Sequence, residues 1–176
     1  MVFLTTDECT DWCNSKGLGV PAGGDVGQPG PGVRVDLTPE ASLVFSAASR
    51  LADAIGPWTT SLLWVVATDI WPSTTNLHLY YRVRQSYQDY RLVSQAPGHL
   101  FLNYEIADFV TFIQIGILSG WDMYLLPDLQ YGKAFISHDS WAAIWRSDDK
   151  DLDGIVRSFQ KIKVAAEIIR SPPTMP

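Results

Sequence analysis

Hydrophobic residues recur with the spacing of an amphipathic helix in several parts of the chain. The four helices predicted from this spacing are residues 5–16, 39–55, 105–119 and 152–169. Thr5 and Glu8 form a capping-box pattern at the first helix, and Thr38 followed by Pro39 is typical of the start of the second. A shorter helix bearing Trp141, Ile144 and Trp145 is predicted after residue 139.

Alternating or continuous apolar runs predict the strands. They are residues 33–37, 62–68, 76–84, 91–95, 121–126 and 133–138. The run at 62–68 is apolar at nearly every position, which indicates a central strand covered on both faces. Residues 76–84 alternate instead, with an apolar face and a basic aromatic face. The last two strands flank a turn-rich segment and predict a hairpin.

These elements predict an α+β fold in a single domain. We expect a mixed or antiparallel sheet of about five to six strands, packed by three main helices, with an N-terminal helical arm. The predicted organisation is a helical arm at 1–17, a Gly/Pro-rich connection at 18–32, an α+β domain at 33–170 and a frayed tail at 171–176.

Composition narrows the class of protein. The 176 residues carry a formal net charge of −6, with a pI near 4.9, which argues against nucleic acid as the main ligand. Residues 1–8 lack the basic start of a signal peptide, and no apolar run reaches the ~20 residues of a membrane span. We therefore expect a cytoplasmic protein, without membrane association, whose Cys9 and Cys13 are reduced packing thiols.

The excess of acidic over basic residues lies in one segment. Residues 99–153 contain nine carboxylates and three bases, whereas the remainder balances at ten of each. An acidic surface favours a basic partner, since complementary charge speeds association. The uneven charge is the main functional lead in the sequence.

Catalysis is the first alternative to weigh. Ser137, His138 and Asp139 supply the residue types of a triad, but successive side chains on a strand point to opposite faces and cannot form a relay. A set of residues distant in sequence could act as acid and base or hold a metal if the fold brought it together. That set is His99, Glu105, Asp108, Asp122 and His138. Its spacing matches no metal motif, so the sequence predicts no cofactor and no metal site.

Binding of a basic protein is the favoured hypothesis, and it names two groups of residues. The predicted aromatic anchors are Trp121, Tyr124, Trp141 and Trp145. The predicted charged surround is Asp122, Asp128, Asp139, Asp148 and Asp149. Size, acidity and the absence of a catalytic motif are together similar to the profile of bacterial immunity proteins. This resemblance implies an inhibitor of a toxic enzyme.

Two other functions stay open. One is a small hydrolase or transferase that uses His99, His138 and a carboxylate such as Asp122 or Asp139. The other is a structural subunit of a homo-oligomer, in which residues 1–17 exchange between two copies across the Gly/Pro-rich connection.

Overall fold

The computed structural model describes residues 1–20, 31–37, 40–68, 77–147 and 151–169. Five α-helices and eight β-strands lie in this described part of the chain. The helices are α1 (Thr6–Ser15), α2 (Ala41–Ala54), α3 (Leu77–Ser86), α4 (Ile106–Ser119) and α5 (Leu152–Gln160). The strands are β1 (Val2–Leu4), β2 (Gly32–Asp36), β3 (Thr60–Ala67), β4 (Gly98–Leu102), β5 (Asp122–Pro127), β6 (Gly132–Ser137), β7 (Trp141–Arg146) and β8 (Ala166–Ile169).

All eight strands join one sheet, in the order β1-β4-β3-β5-β6-β7-β2-β8. Every neighbouring pair is antiparallel. The predicted α+β class with an antiparallel sheet is therefore confirmed. The expected five to six strands and three main helices fall short of the eight strands and five helices in the described residues.

Both faces of the sheet are covered, and β3 shows how the sequence arranges this. Leu63 and Val65 belong to a large core with side chains of α2, α4 and α5. Leu62 and Trp64 point the other way, into a smaller core shared with α1. All four are nearly inaccessible to solvent, and burying an aliphatic side chain of this size contributes about 1.5–3 kcal/mol. The predicted central strand covered on both faces is confirmed.

The first helix begins as predicted. Thr5 caps it through the Glu8 N–H, and the Glu8 carboxylate accepts the Thr5 N–H in return. Cys9 and Cys13 are free, fully buried thiols that pack α1 onto the smaller core. Helix and sheet lie very close here, because a Cβ added at Gly98 would overlap the Cys9 sulfur.

The predicted arm makes contacts within the chain. Val2, Phe3 and Leu4 of β1 pair with β4. The division into arm, connection, domain and tail stays a prediction, as does exchange of the arm between copies. Most of the predicted connection, all of the predicted tail, and the Thr38–Pro39 helix start lie outside the described residues.

The predicted strand at 76–84 is wrong, because the described part of this segment is helix α3. The alternation of Leu77, Leu79, Tyr81 and Val83 is misleading, since Leu79 is 53% exposed. The buried side of α3 instead follows helical spacing and includes the charged side chain of Arg84. A cation in the buried stripe conceals the helical period from a hydrophobicity pattern.

Two further element predictions are wrong. Residues 91–95 form turns, not a strand. The short helix predicted to carry Trp141, Ile144 and Trp145 is strand β7, in which every position from 141 to 145 is buried. A short run that is apolar throughout shows no period, so it fits a doubly covered strand as well as a helix.

The last predicted helix ends early. α5 stops at Gln160, the backbone turns at Lys163 with φ of 61°, and residues 166–169 form β8 at the edge of the sheet beside β2. The predicted helices at 39–55 and 105–119 correspond to α2 and α4, and the predicted hairpin is formed by β5 and β6. Among the described residues, no helix has both the length and the apolar character needed to cross a membrane.

Candidate functional site

The fold does not bring the sequence-predicted catalytic set together: Glu105 pairs with the Met1 ammonium, Asp108 accepts from the Tyr87 hydroxyl, and the histidines lie apart. His99 lies on β4 opposite Leu63 of β3, and Asp122 lies on β5 opposite Ala67. These two positions on β3 are four residues apart, or about 13 Å at ~3.3 Å per residue. His99 and Asp122 therefore do not share one site, whereas Asp122 and His138 do.

Tyr80 links His99 to Arg84 in the interior. The Tyr80 O–H donates to Nε2 of His99 over 2.9 Å, and its oxygen accepts a hydrogen bond from Nη1 of Arg84 over 2.6 Å. Nδ1 of His99 lies 3.4 Å from the Leu63 carbonyl oxygen. A neutral His99 with its proton on Nδ1 satisfies both contacts. Its Nδ1–H donates to the Leu63 carbonyl oxygen, and its Nε2 accepts the Tyr80 O–H.

Asp89 completes this network. One of its oxygens accepts hydrogen bonds from Nε and Nη2 of Arg84, over 3.1 and 2.9 Å, and the other accepts from Nε of Arg91 over 2.8 Å. Arg91 also donates to the Phe3 carbonyl, and the Arg84 guanidinium lies 4.3 Å from the centre of the Phe3 ring. The network thereby joins α3 and the turn after it to β1 and β4.

Burial sets the protonation states in this network. It lowers the pKa of His99 to about 3, with a further contribution from the Arg84 charge, and it raises the pKa of Tyr80. Burial also raises the pKa of Asp89, but hydrogen bonds from Arg91 and the Arg84 charge outweigh this and hold that pKa below its usual range. An uncharged imidazole enclosed among satisfied partners is suited to a structural role.

The second place is the turn between β6 and β7. Oδ1 of Asp122 accepts hydrogen bonds from both the backbone N–H and Nδ1 of His138, each over 2.8 Å. This contact leaves Nε2 of a neutral His138 as an acceptor, on a ring that is 24% exposed. Asp139 lies nearby, with Oδ1 3.4 Å from that nitrogen. The pair is an oriented imidazole that could act as a base or ligand.

The remaining chemistry around His138 is limited. The Ser137 oxygen accepts a hydrogen bond from the Asp139 N–H over 3.2 Å and has no recorded bond to the imidazole, which agrees with exclusion of a triad. Asp139 caps no helix, because β7 follows the turn. The described residues contain no group of three or more His, Cys, Asp or Glu side chains arranged to hold a metal.

The four predicted aromatic anchors are core residues. Trp121 is 2% exposed, Tyr124 4%, Trp141 7% and Trp145 5%. Trp121 packs in the larger core, and the other three lie in the smaller core beneath α1. On the folded chain none of these rings offers an exposed surface to a partner.

Several carboxylates of the acidic segment bind groups of the chain itself. Asp128 accepts the backbone N–H groups of Thr59 and Thr60 over 2.9 and 3.0 Å, and Asp108 accepts the Tyr87 hydroxyl over 2.7 Å. These carboxylates are occupied by charge-assisted hydrogen bonds within the fold, which makes them unsuited to a partner surface.

Other carboxylates of the segment face solvent. Asp139 is 47% exposed, and Asp151 and Asp153 are exposed beside and within the first turn of α5. Among the described residues none of the three forms an ion pair with a lysine or arginine. The predicted binding residues Asp148 and Asp149 lie outside the described residues.

Sequence reasoning missed Tyr80, Arg84, Asp89 and Arg91 as partners of His99. The available signal was the spacing of Tyr80 and Arg84, which are four residues apart and share one face of a helix. The strand predicted at 76–84 also places Tyr80 and Arg84 on one face, but on the basic aromatic face and not in the core. Comparison with protein-family models, curated proteins and solved structures gives no match to this chain.

Proposed function

We propose that this chain is a protein-binding module, comparable to an immunity protein, that docks a basic protein partner through exposed carboxylates of its C-terminal half. The observation that carries the proposal is the exposure of Asp139, Asp151 and Asp153 without a lysine or arginine partner among the described residues. The buried aromatic residues take no part in it.

Electrostatics explains how such a surface would work. Exposed carboxylates that are close in sequence, such as Asp151 and Asp153, repel one another, and a partner that brings lysines or arginines relieves this repulsion. Steering of this kind raises association rate constants from about 10⁵–10⁶ to as much as about 10⁸–10⁹ M⁻¹s⁻¹ at low salt. Fast capture of a toxic enzyme is the advantage that an immunity-like inhibitor would gain.

The same proposal places the protein in the cytoplasm. Its two thiols, Cys9 and Cys13, are free and buried, which suits a reducing compartment.

Affinity capture with charge variants tests the binding proposal. Immobilised wild-type chain is incubated with extract of the source cells, and retained proteins are identified by mass spectrometry. In parallel, Asp151→Lys/Asp153→Lys reverses two carboxylates of the proposed surface. The matched control Asp7→Lys/Asp11→Lys reverses two exposed carboxylates of α1.

The proposal predicts one basic protein that is retained by the wild type and the α1 control and lost by the Asp151/Asp153 variant. Retention of no protein above the blank resin, or equal loss in both variants, would contradict docking through the C-terminal carboxylates.

A small hydrolase is the second candidate, and the Asp122–His138 pair favours it. Hydrolysis of p-nitrophenyl acetate is a suitable probe, because an oriented neutral imidazole attacks this ester. The enzyme hypothesis predicts a rate that His138→Ala removes and His78→Ala, a change at an exposed histidine of α3, retains. Equal rates in the two variants would remove His138 from consideration.

A further inference from the structure

A cavity of about 340 Å³ opens between the loop after α1 and the paired ends of β6 and β7. Its described lining includes Gly17, Gln130, Lys133, Trp145, Arg146 and Ser147, and no described lining residue carries a carboxylate. Lys133 is the cation of this lining on the α1 face, because the Arg146 side chain reaches Ala54 of α2 on the other face of the sheet. The described lining on the α1 face therefore has a positive charge, although the chain as a whole has a net charge of −6.

Lys133 is a half-buried cation beside the smaller core. It lies on β6 directly opposite Trp145 of β7, so both side chains project from the α1 face of the sheet. Burial lowers the pKa of the Lys133 ammonium, and no carboxylate among the described residues forms an ion pair with it. A half-buried ammonium without a counter-charge favours an anionic ligand.

One donor in the lining has no acceptor. Trp145 is 5% exposed, and its indole N–H is buried without a hydrogen-bond partner. Arg146 also borders the cavity, but its side chain points to the other face of the sheet, where Nη1 donates to the Ala54 carbonyl of α2. Buried donors in native proteins are almost always satisfied, so the Trp145 N–H indicates a place for a bound acceptor.

Gly32 packs closely against the indole. It pairs with Trp145 across β2 and β7, and an added Cβ would come within 3.3 Å of the indole nitrogen and 2.7 Å of the Ile144 carbonyl oxygen. Any larger residue at position 32 would therefore displace the Trp145 ring from its place in the cavity wall.

We propose that this cavity binds a small oxyanion, either a carboxylate or a phosphate, with Lys133 as its counter-charge and the Trp145 indole N–H as a donor. The volume exceeds that of a bare ion, so the oxyanion belongs to a larger molecule. The site lies at the Gly132 end of β6, opposite the His138 end.

Titration with acetate and with inorganic phosphate, at constant ionic strength, distinguishes the two sources of the oxyanion. The ¹H–¹⁵N resonance of the Trp145 indole, assigned with Trp145→Phe, reports the location of binding, and calorimetry gives the affinity. The proposal predicts a saturable shift of that resonance with at least one oxyanion and none with chloride. Whichever salt saturates identifies the class.

Variants distinguish binding at this site from general attraction of anions to the protein. Lys133→Met should weaken binding roughly tenfold or more, the effect of losing one charge-assisted hydrogen bond. Lys161→Met, which removes an exposed cation after α5, should leave the affinity unchanged. If Lys133→Met does not fold, Trp145→Phe provides the test, since it keeps the ring and removes the donor.

A shift that stays linear for both oxyanions, or one that chloride reproduces, would overturn the proposal. Unchanged affinity in the folded Lys133→Met variant, or in Trp145→Phe, would overturn it as well.

Discussion

The Tyr80 hydroxyl joins two side chains that are completely inaccessible to solvent, His99 and Arg84. It donates to His99 and accepts from Arg84, so removal of this one oxygen breaks both hydrogen bonds. Single polar atoms of this kind matter because a buried group that loses its partner bears the full cost of desolvation.

Replacement of Tyr80 by phenylalanine should lower the free energy of unfolding by about 1–3 kcal/mol, because it leaves His99 and Arg84 each one hydrogen bond short. Tyr104→Phe is the matched control, since this tyrosine is 75% exposed and its change should stay within about 0.5 kcal/mol. Denaturant unfolding measures both. Equal free energies of unfolding for the two variants would show that the hydrogen bonds of Tyr80 contribute little to stability.

The buried imidazole also predicts the response to acid. His99 protonates near pH 6.5 in the unfolded chain and only at about 3 in the folded protein, so the unfolded chain binds the extra proton between these values. The contribution of His99 to stability is complete above about pH 6.5 and declines as the pH falls, by about 2 kcal/mol at pH ~5.

Unfolding measured between about pH 7 and 5 tests this sign. In His99→Gln, the free energy of unfolding should fall less steeply with decreasing pH, by a slope that corresponds to nearly one proton. In His78→Gln, a change at an exposed histidine, the slope should stay that of the wild type. Equal slopes for the wild type and both variants would show that His99 is accessible to protons in the folded state.

At the scale of elements, periodicity predicts those segments whose buried face is apolar throughout. The stripe of α2 and the doubly covered β3 are of this kind, and both are confirmed. α3 was mistaken for a strand because its buried face includes Arg84, whose charge is compensated by Asp89. The ion pair with Asp89 depends on how the turn after α3 folds back, and a hydrophobicity pattern does not show this.

The candidate site was predictable only in part. The Asp122–His138 contact follows from the β5–β6 hairpin, which the sequence predicts. The separation of His99 from this pair depends on β4 lying on the far side of β3, and the strand order of a sheet is not encoded in a short segment. The cavity beside Lys133 depends on the docking of α1 and was not predicted for the same reason.

Docking of α1 gives a prediction of its own. Burial raises the pKa of Cys9 to about 12 and that of Cys13 to about 11, so both thiols are un-ionised and enclosed. Labelling with a thiol reagent should therefore proceed only as fast as the whole protein unfolds. Its rate should rise with denaturant in parallel with global unfolding.

Labelling that is rapid in buffer, with the rest of the protein still folded, would instead indicate that residues 1–17 detach as an arm. The same measurement on Cys9→Ser and Cys13→Ser shows whether one end of α1 opens before the other.

For the whole molecule, net charge alone does not identify a surface. Asp128 and Asp108 are used within the fold, while Asp139, Asp151 and Asp153 face solvent. The described lining of the cavity at Lys133 contains no carboxylate, although the overall charge is −6. The proposed docking of a basic partner thus depends on where the exposed carboxylates lie, and this position is the central claim.

The association rate constant with the captured basic partner, measured at increasing salt for three proteins, tests that claim most directly. The wild type should associate quickly at low salt and slow steeply as salt rises. Asp151→Lys/Asp153→Lys should associate roughly tenfold more slowly at low salt and show a flatter salt dependence, while Asp7→Lys/Asp11→Lys stays close to the wild type. Each pair includes one change in the first turn of a helix, and Asp151 is in addition the N-cap residue of α5, so the folded state of both variants is checked by circular dichroism first. Identical rates and salt dependences for the two reversed pairs would contradict a docking surface built from the carboxylates of the C-terminal half.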